Sequence, residues 1–197
     1  MKPVKGLLIL CALAAFASAP PSSCGKNFSN LFKLPERNQN PPPELPKLPE
    51  LSRYIHDDKL GVTVSVPEGW SVTQRLDNPV IFTTAPEAGP NGPLANLVIE
   101  TLNSKMDPYN YLAANIISLQ ASIPQLKIQK WAVEMVDTRT IAWIHYIYPF
   151  NGEQVEAVAY CQTREFKAYV VTGMAPAAGF AKNEGLLRAI GRSLKID

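Results

Sequence analysis

Residues 140–163 have the sequence TIAWIHYIYPFNGEQVEAVAYCQT, in which Asn151-Gly152 separates two runs rich in β-branched and aromatic residues. An Asn-Gly pair between two such runs is a strong signal for a hairpin, because both central positions of the tight turn need a positive φ. The sequence therefore predicts antiparallel strands over Thr140–Phe150 and Gln154–Thr163. Residues 141–148 are apolar on both faces, which is typical of a central strand covered on both sides.

Further strands are predicted on either side of this hairpin. Lys127–Val136 precedes it and Ala168–Met174 follows it. Residues 62–66 alternate valine with Thr and Ser, which indicates a half-buried strand. The Pro67–Trp70 turn after it brings a tryptophan to the edge of the core. The predicted strands in the first half of the domain are Tyr54–Asp58, Gly61–Val66, Val80–Thr84 and Ala95–Leu102.

Two segments have the period of a helix. Asp107 is a strong N-cap residue and Pro108 suits the first helical position, so a helix is predicted to begin there. Pro124 is predicted to end it. Its apolar residues recur at spacings of three and four, which places them on one face: Tyr109, Leu112, Ile116, Leu119 and Ile123.

The second helix is predicted over Phe180–Leu194. Its inward residues are predicted to be Leu186, Leu187, Ile190 and Leu194, and its outward residues Lys182, Arg188 and Arg192.

This order of elements predicts an α+β domain, with an antiparallel sheet flanked by helices in an α/β/α sandwich. Strands, a helix, an antiparallel meander and a final helix produce that arrangement when helices pack on a hairpin-built sheet. Strands and helices do not alternate as in βαβ units, so a dinucleotide-binding fold is not expected.

The N-terminus has the pattern of an export signal. Lys2 and Lys5 precede the apolar run Gly6–Ala17, and small residues follow. The run is too short to span a membrane, so we expect residues 1–23 to be a signal peptide of an exported bacterial-type protein.

Cys24 is the predicted lipidation site. Ser22-Ser23-Cys24-Gly25 resembles the end of a bacterial lipobox, although Pro21 stands where that motif prefers leucine. A palmitate-type acyl anchor on Cys24 would hold the chain at a membrane, with its domain in the periplasm or at the cell surface. Cleavage after Ala17 is the alternative and would release a soluble periplasmic protein.

Residues 24–50 are predicted to be a proline-rich tether. Six prolines lie in this segment, from Pro35 to Pro49 inclusive. Proline disfavours helices and sheet ladders and favours extended polyproline conformation. The globular domain is therefore predicted over residues 51–197.

The charge of the chain argues against nucleic acid as a partner. The sequence has 19 Lys and Arg against 17 Asp and Glu, and residues 1–23 hold two lysines and no acid. The mature chain is close to neutral and has no basic stripe, whereas nucleic-acid binding needs several cationic contacts to phosphates.

Few residues are candidates for chemistry. His56-Asp57-Asp58 is interpreted as a solvated turn rather than a cation site, because adjacent strand residues face opposite ways. His145 is expected to be a packed, hydrogen-bonded histidine or to line a pocket, and Cys161 to be a small core residue. No catalytic motif is recognised, and no catalytic residue, metal ligand or cofactor is expected. Aromatic residues on neighbouring strands are expected to fill the core, or else to line an apolar pocket or partner face: Trp131, Trp143, Tyr146, Tyr148 and Tyr160.

The domain resembles the PsbP/Mog/DcrB-like superfamily. The resemblance starts with Tyr54 and the strand–Pro-x-Gly-Trp opening, Gly61–Trp70, and extends over roughly residues 54–195. It continues with Asp107-Pro108-Tyr109, the Thr140–Cys161 hairpin, Tyr169–Gly173 and Ile190–Leu194. It implies the sandwich fold of that superfamily and the role of a small soluble or lipid-anchored accessory protein. Its photosynthetic branch supports photosystem II, its Mog branch binds Ran, and many bacterial members are lipoproteins.

The sequence and this resemblance together predict a non-enzymatic envelope lipoprotein whose domain binds another envelope protein. The alternative is a carrier or sensor of a small apolar ligand held in a cleft between sheet and helix.

Overall fold

The computed structural model describes residues 51–75, 80–85, 92–123 and 125–197. The predicted signal peptide, the lipidation site at Cys24 and the proline-rich tether lie outside these residues. Pro124, the predicted end of the first helix, lies outside them as well.

The described residues form ten strands and two helices. In chain order they are β1 (Arg53–Asp57), β2 (Val62–Val66), β3 (Ser71–Arg75), β4 (Val80–Thr84), β5 (Leu94–Thr101), α1 (Pro108–Ser122), β6 (Lys127–Val136), β7 (Arg139–Phe150), β8 (Glu153–Arg164), β9 (Lys167–Pro176), α2 (Ala177–Ser193) and β10 (Lys195–Ile196).

Seven of these strands form one antiparallel sheet in the order β3-β4-β5-β9-β8-β7-β6. Consecutive hairpins build β6 to β9, and Trp143 of β7 stands opposite Tyr160 of β8. The two halves of the sheet meet where β5 pairs with β9, with Leu94 opposite Met174. The predicted α+β class and antiparallel sheet are confirmed.

Helices cover both faces of the large sheet. On β7, Ile141 and Trp143 belong to the core on the α2 side, whereas Ala142 and Ile144 belong to the core on the α1 side. Successive strand residues point to opposite faces, so a central strand between two helices must be apolar at every position. The prediction for residues 141–148 is confirmed.

A second, three-stranded sheet lies on the α2 side, in the order β1-β2-β10. The valines of β2 join the core there, together with Trp70, which is buried as predicted. Strands β10 and β3 were not predicted from the sequence. The two residues of β10 are too few for a pattern, and Ser71–Arg75 has one apolar side chain in five.

The hairpin between β7 and β8 turns at Asn151 and Gly152, with φ of 49° and 84°. Positive φ at both central positions is what the Asn-Gly pair predicted, because glycine and asparagine adopt that conformation at little steric cost.

The first helix begins as predicted. Pro108 occupies the first turn, and the Asp107 side chain accepts a hydrogen bond from the Asn110 backbone N–H at 2.9 Å. Leu112, Ile116 and Leu119 are buried against the sheet. Tyr111 is also buried and Tyr109 only partly so, because the helix is rotated slightly from the predicted stripe.

The second helix begins at Ala177, one turn earlier than predicted, and packs over β8 and β9. It contacts the sheet at two glycines. A Cβ on Gly191 would lie 2.2 Å from the Tyr160 ring, and one on Gly173 of β9 would lie 2.7 Å from the Leu187 Cβ. Both distances are far below the 3.5–4.0 Å of an ordinary carbon–carbon contact. The helix therefore lies closer to the sheet than side chains larger than glycine would allow.

Candidate functional site

The predicted solvated turn at His56-Asp57-Asp58 has its polar groups engaged locally. One Asp57 carboxylate oxygen accepts hydrogen bonds from the backbone N–H groups of Lys59 and Leu60, both at 2.9 Å. The His56 ring nitrogens lie 2.8 Å from the Thr63 hydroxyl and 2.9 Å from the Asp58 carboxylate. These side chains close the β1–β2 turn. Within the described residues, no three His, Cys, Asp or Glu side chains are grouped so that they could hold a metal ion.

His145 is a packed histidine, as predicted. Its Nε2 lies 2.6 Å from the Glu156 carboxylate on the neighbouring strand, and its ring stacks on Phe180 of α2 with the ring centroids 5.1 Å apart. Both the imidazole and the carboxylate are mostly buried. The pair connects β7, β8 and α2.

Cys161 is buried on the opposite face of the sheet, beneath α1, which confirms its prediction as a core residue. Its thiol contacts the Pro108 carbonyl at 3.5 Å. Burial raises the pKa of the thiol to about 12, so it is protonated at neutral pH. A protonated, buried thiol is a poor nucleophile.

The aromatic residues predicted to fill the core are all buried: Trp131, Trp143, Tyr146, Tyr148 and Tyr160. Two of them belong to a charged cluster that was not predicted from the sequence. We call this the Trp143 cluster and define it as Glu134, Trp143, Tyr160, Arg188 and Arg192. It lies on the α2 side of the sheet, where β6, β7 and β8 pass the last turns of the helix.

Arg188 was predicted to face outward, and that prediction is wrong: the residue is buried. Residues three apart share a helix face, so Arg188 lies on the same side as Gly191. The close approach of Gly191 to Tyr160 brings Arg188 down onto the sheet. Its guanidinium carbon lies 4.7 Å from the centroid of the Trp143 ring, and one terminal nitrogen donates to the Tyr160 hydroxyl at 3.2 Å.

Two acids accompany the arginines. Arg188 donates through Nε to the Glu184 carboxylate at 2.8 Å. Arg192 Nε lies 3.2 Å from a carboxylate oxygen of Glu134, whose side chain is only 5% exposed. That contact is an ion pair without hydrogen-bond geometry, since neither atom makes a hydrogen bond within the described residues.

Burial raises the pKa of Glu134, and the charges of Arg192 and Arg188 oppose the shift. Burial also raises the pKa of Tyr160 to about 12, against the effect of Arg188. Desolvation therefore dominates both groups.

The Trp143 cluster also contains an unused donor. Trp143 is 3% exposed, and its indole N–H has no hydrogen-bond acceptor among the described residues. A buried donor without a partner is uncommon in proteins. Arg192 is 22% exposed and Lys130 is exposed, with its ammonium 6.0 Å from the Trp143 ring centroid, so the cluster opens to solvent beyond the edge of α2.

The cluster is a set of internal contacts, an ion pair, a hydrogen bond and a cation–π contact, packed around the Trp143 and Tyr160 rings. The Arg188 guanidinium and the Lys130 ammonium lie near the Trp143 ring, and the indole N–H of that ring is a further donor. Neither candidate for a nucleophile or a base belongs to the Trp143 cluster. Cys161 lies on the other face of the sheet, and His145 is paired with Glu156. One sequence signal was available: Glu184, Arg188 and Arg192 are spaced by four, which places them on one side of a helix.

Neither helix in the described part of the chain is long and apolar enough to cross a membrane.

Comparison with known proteins identifies the fold. No family model matches the sequence, and no curated protein matches it. Among solved structures, CyanoP of Synechocystis, the cyanobacterial PsbP, is 9% identical, with a TM-score of 0.58 over 74% of this chain and 92% of its own. LpqN of Mycobacterium tuberculosis, described as involved in cell envelope biogenesis, is 12% identical, with a TM-score of 0.53 over 73% of this chain and 89% of its own.

The Ran-binding protein Mog1p of Saccharomyces cerevisiae is 10% identical, with a TM-score of 0.53 over 75% of this chain and 96% of its own. The chain is therefore an α+β sandwich protein. Its fold is the PsbP-like fold, which confirms the fold that the sequence resemblance implied. Identities of this size show the fold alone.

Proposed function

We propose that this chain is a non-enzymatic accessory protein of the bacterial cell envelope, and that its domain binds another envelope protein. Two proteins of the same fold support this class of function. LpqN is described as involved in cell envelope biogenesis, and Mog1p is described as Ran-binding.

The observation that carries the proposal is the direct contact between α2 and the sheet. Gly191 meets the Tyr160 ring and Gly173 meets Leu187, at distances where even a methyl group does not fit. A carrier of a small apolar ligand needs a cleft lined by apolar side chains. No ligand fits between α2 and the sheet at these two contacts, which favours recognition on the outer surface.

That surface carries large apolar side chains. The exposed ones in the described residues are Tyr54, Met106, Ile117, Met135 and Phe166. Phe166 is 49% exposed, its backbone carbonyl accepts a hydrogen bond from Leu102 N–H at 2.7 Å, and the Lys105 ammonium lies 5.6 Å from its ring centroid. Exposed aromatic side chains are frequent anchors in protein interfaces.

Site-specific photo-crosslinking in living cells tests protein binding. A photoreactive phenylalanine analogue replaces each of the five exposed apolar residues in turn, and a matched set of exposed polar positions, including Lys59, serves as the control. We expect a discrete protein adduct of one mass from neighbouring apolar positions and none from Lys59. The proposal fails if no position gives a protein adduct and the purified chain instead holds a stoichiometric apolar molecule, detected by mass spectrometry after solvent extraction.

We further propose that the protein is exported, that residues 1–23 are removed and that Cys24 carries the lipid anchor, with residues 24–50 as the tether. Intact mass of the mature chain tests this directly. A chain that begins at Cys24 and carries a diacyl or triacyl adduct is expected in the membrane fraction, and Cys24→Ser is expected to lose the adduct. A mature chain that begins at Ser18 without an adduct contradicts the anchor and supports the free periplasmic form.

A further inference from the structure

Strand β6 is one edge of the seven-stranded sheet. Among the described strands it pairs only with β7, so the backbone N–H and C=O groups along its other side have no neighbouring strand. The strand is ten residues long, and all of its side chains except Trp131 and Glu134 are at least partly exposed. A free edge of this length is a template for a further strand unless the protein protects it.

Only the first part of β6 is protected. Its pairing register with β7 shifts between Ile128 and Lys130, and Lys127 and Lys130 are exposed cations. Bulges and lysines are common means of keeping a sheet edge from pairing. Residues 131–136 contain no proline, glycine or lysine, and their one charged side chain, Glu134, is buried. This six-residue stretch is therefore open to a further strand.

The charges on β6 match those of a second, antiparallel copy of the same strand. When Ala132 stands opposite Ala132 of the copy, Lys130 stands opposite Glu134, and this pair occurs twice because of the two-fold axis. Opposite charges directly across an antiparallel pair are favourable. Centring the pair on Val133 instead would place Lys130 opposite Val136 and Glu134 opposite Ala132, so that neither charge has a counter-charge. Charge complementarity therefore selects the register centred on Ala132.

We propose that β6 pairs with β6 of a second copy of this chain, antiparallel and centred on Ala132, and so forms a homodimer with one continuous sheet. Residues that stand opposite each other in an antiparallel pair point to the same face. The two α1 helices then cover one face of the joint sheet and the two α2 helices the other. Met135, which is 63% exposed on this strand, borders the seam. This dimer goes beyond the proposed function, since it requires no envelope partner.

Sedimentation equilibrium measures the association of the chain from residue 24 onward, with Cys24→Ser so that no lipid contributes. We expect a reversible dimer. Lys130→Glu places two acids opposite each other at both symmetric positions and is expected to weaken the dimer about tenfold. Lys182→Glu makes the same charge change at an exposed position on α2 and is expected to alter the dimer less than about twofold. Thermal unfolding of each variant verifies that it is folded.

Disulfide trapping tests the register. In the same background, Ala132→Cys puts two thiols directly opposite each other across the two-fold axis, where the Cβ atoms of antiparallel strands are about 5 Å apart and a disulfide is within reach. Val133→Cys puts its thiols at diagonal positions, about 7 Å apart, and is the matched control. We expect rapid disulfide-linked dimer from Ala132→Cys and little from Val133→Cys. Cys161 is left in place because it is buried.

The inference is overturned if the chain stays monomeric up to about 1 mM, if Lys130→Glu and Lys182→Glu act alike, or if Val133→Cys crosslinks faster than Ala132→Cys. A photoreactive residue at position 135 identifies the occupant of the edge. An adduct of twice the chain mass supports the second copy. An adduct with a different protein from a monomeric chain overturns the homodimer and assigns the edge to that protein, which leaves the proposed function intact.

Discussion

Gly191→Ala tests the closest contact in the fold. The added methyl group would lie 2.2 Å from one ring carbon of Tyr160 and 2.8 Å from another. Tyr160 cannot turn aside, because it is fully buried, stacks near Trp143 and accepts a hydrogen bond from Arg188. The last turns of α2 would have to move away from the sheet by at least about 1 Å to restore ordinary carbon–carbon distances.

The expected loss of stability is about 2 kcal/mol. Overpacking a filled core costs about 1–3 kcal/mol. Strain on the Arg188–Tyr160 hydrogen bond, which is 3.2 Å long, adds up to about 1 kcal/mol. Alanine favours a helix over glycine by about 1 kcal/mol, which offsets part of this loss.

Gly179→Ala is the matched control in the same helix. A Cβ at Gly179 meets nothing within 4 Å. Only the helix propensity and the unfolded-chain entropy change there, so we expect a gain of up to about 1 kcal/mol. The two identical substitutions should therefore shift stability in opposite directions.

Urea unfolding followed by tryptophan fluorescence measures both variants. A lower midpoint at unchanged slope is expected for Gly191→Ala, and a midpoint equal to or above that of the parent chain for Gly179→Ala. If Gly191→Ala is as stable as the parent chain, α2 does not press on the sheet as described. That result would also reopen the space between helix and sheet for an apolar ligand.

Three further predictions concern other parts of the domain. Burial raises the pKa of Glu100 above its ordinary 4.5, so just above that pH the folded chain holds a proton that the unfolded chain has released. The free energy of unfolding should therefore fall as pH rises from about 4.5, and it should fall less steeply in Glu100→Gln. A urea unfolding series in which the two pH profiles coincide would refute this. Burial raises the pKa of the Cys161 thiol to about 12. In a chain with its other cysteines replaced by serine, this thiol should resist a disulfide reagent at about pH 8 when folded and react fully in urea. Fast labelling of the folded chain would contradict its burial. Gly152→Ala should lower the free energy of unfolding by about 1 kcal/mol, because residue 152 has a positive φ that alanine adopts poorly. Asn151→Gly should be nearly neutral, because glycine adopts a positive φ readily. Equal effects of the two substitutions would count against the turn geometry.

Local patterns were sufficient to predict most of the elements. The Asn-Gly pair, the Asp107-Pro108 cap and the doubly apolar run at residues 141–148 act through neighbours in the chain, and each appears in the structure as predicted. The missed strand Ser71–Arg75 has one apolar residue in five, and its place at the sheet edge depends on pairing with β4. Such pairing is a property of the assembled sheet.

The candidate site was much less predictable. Charge and periodicity place Arg188 on the solvent side of an amphipathic helix, and Glu134 in a strand pattern gives no sign of burial. They come together because Gly191 lets the helix approach Tyr160, which no count of helical spacing reveals. The spacing of Glu184, Arg188 and Arg192 indicated a shared helix side but not what that side would contact.

By itself, the sequence determined the elements, the antiparallel hairpin and the class of fold, because turn, cap and period signals act between residues close in the chain. Only the tertiary structure decided the pairing of β5 with β9, the distance of α2 from the sheet and the Trp143 cluster. These depend on contacts between residues tens of positions apart, and such contacts form only when the chain packs both faces of the sheet.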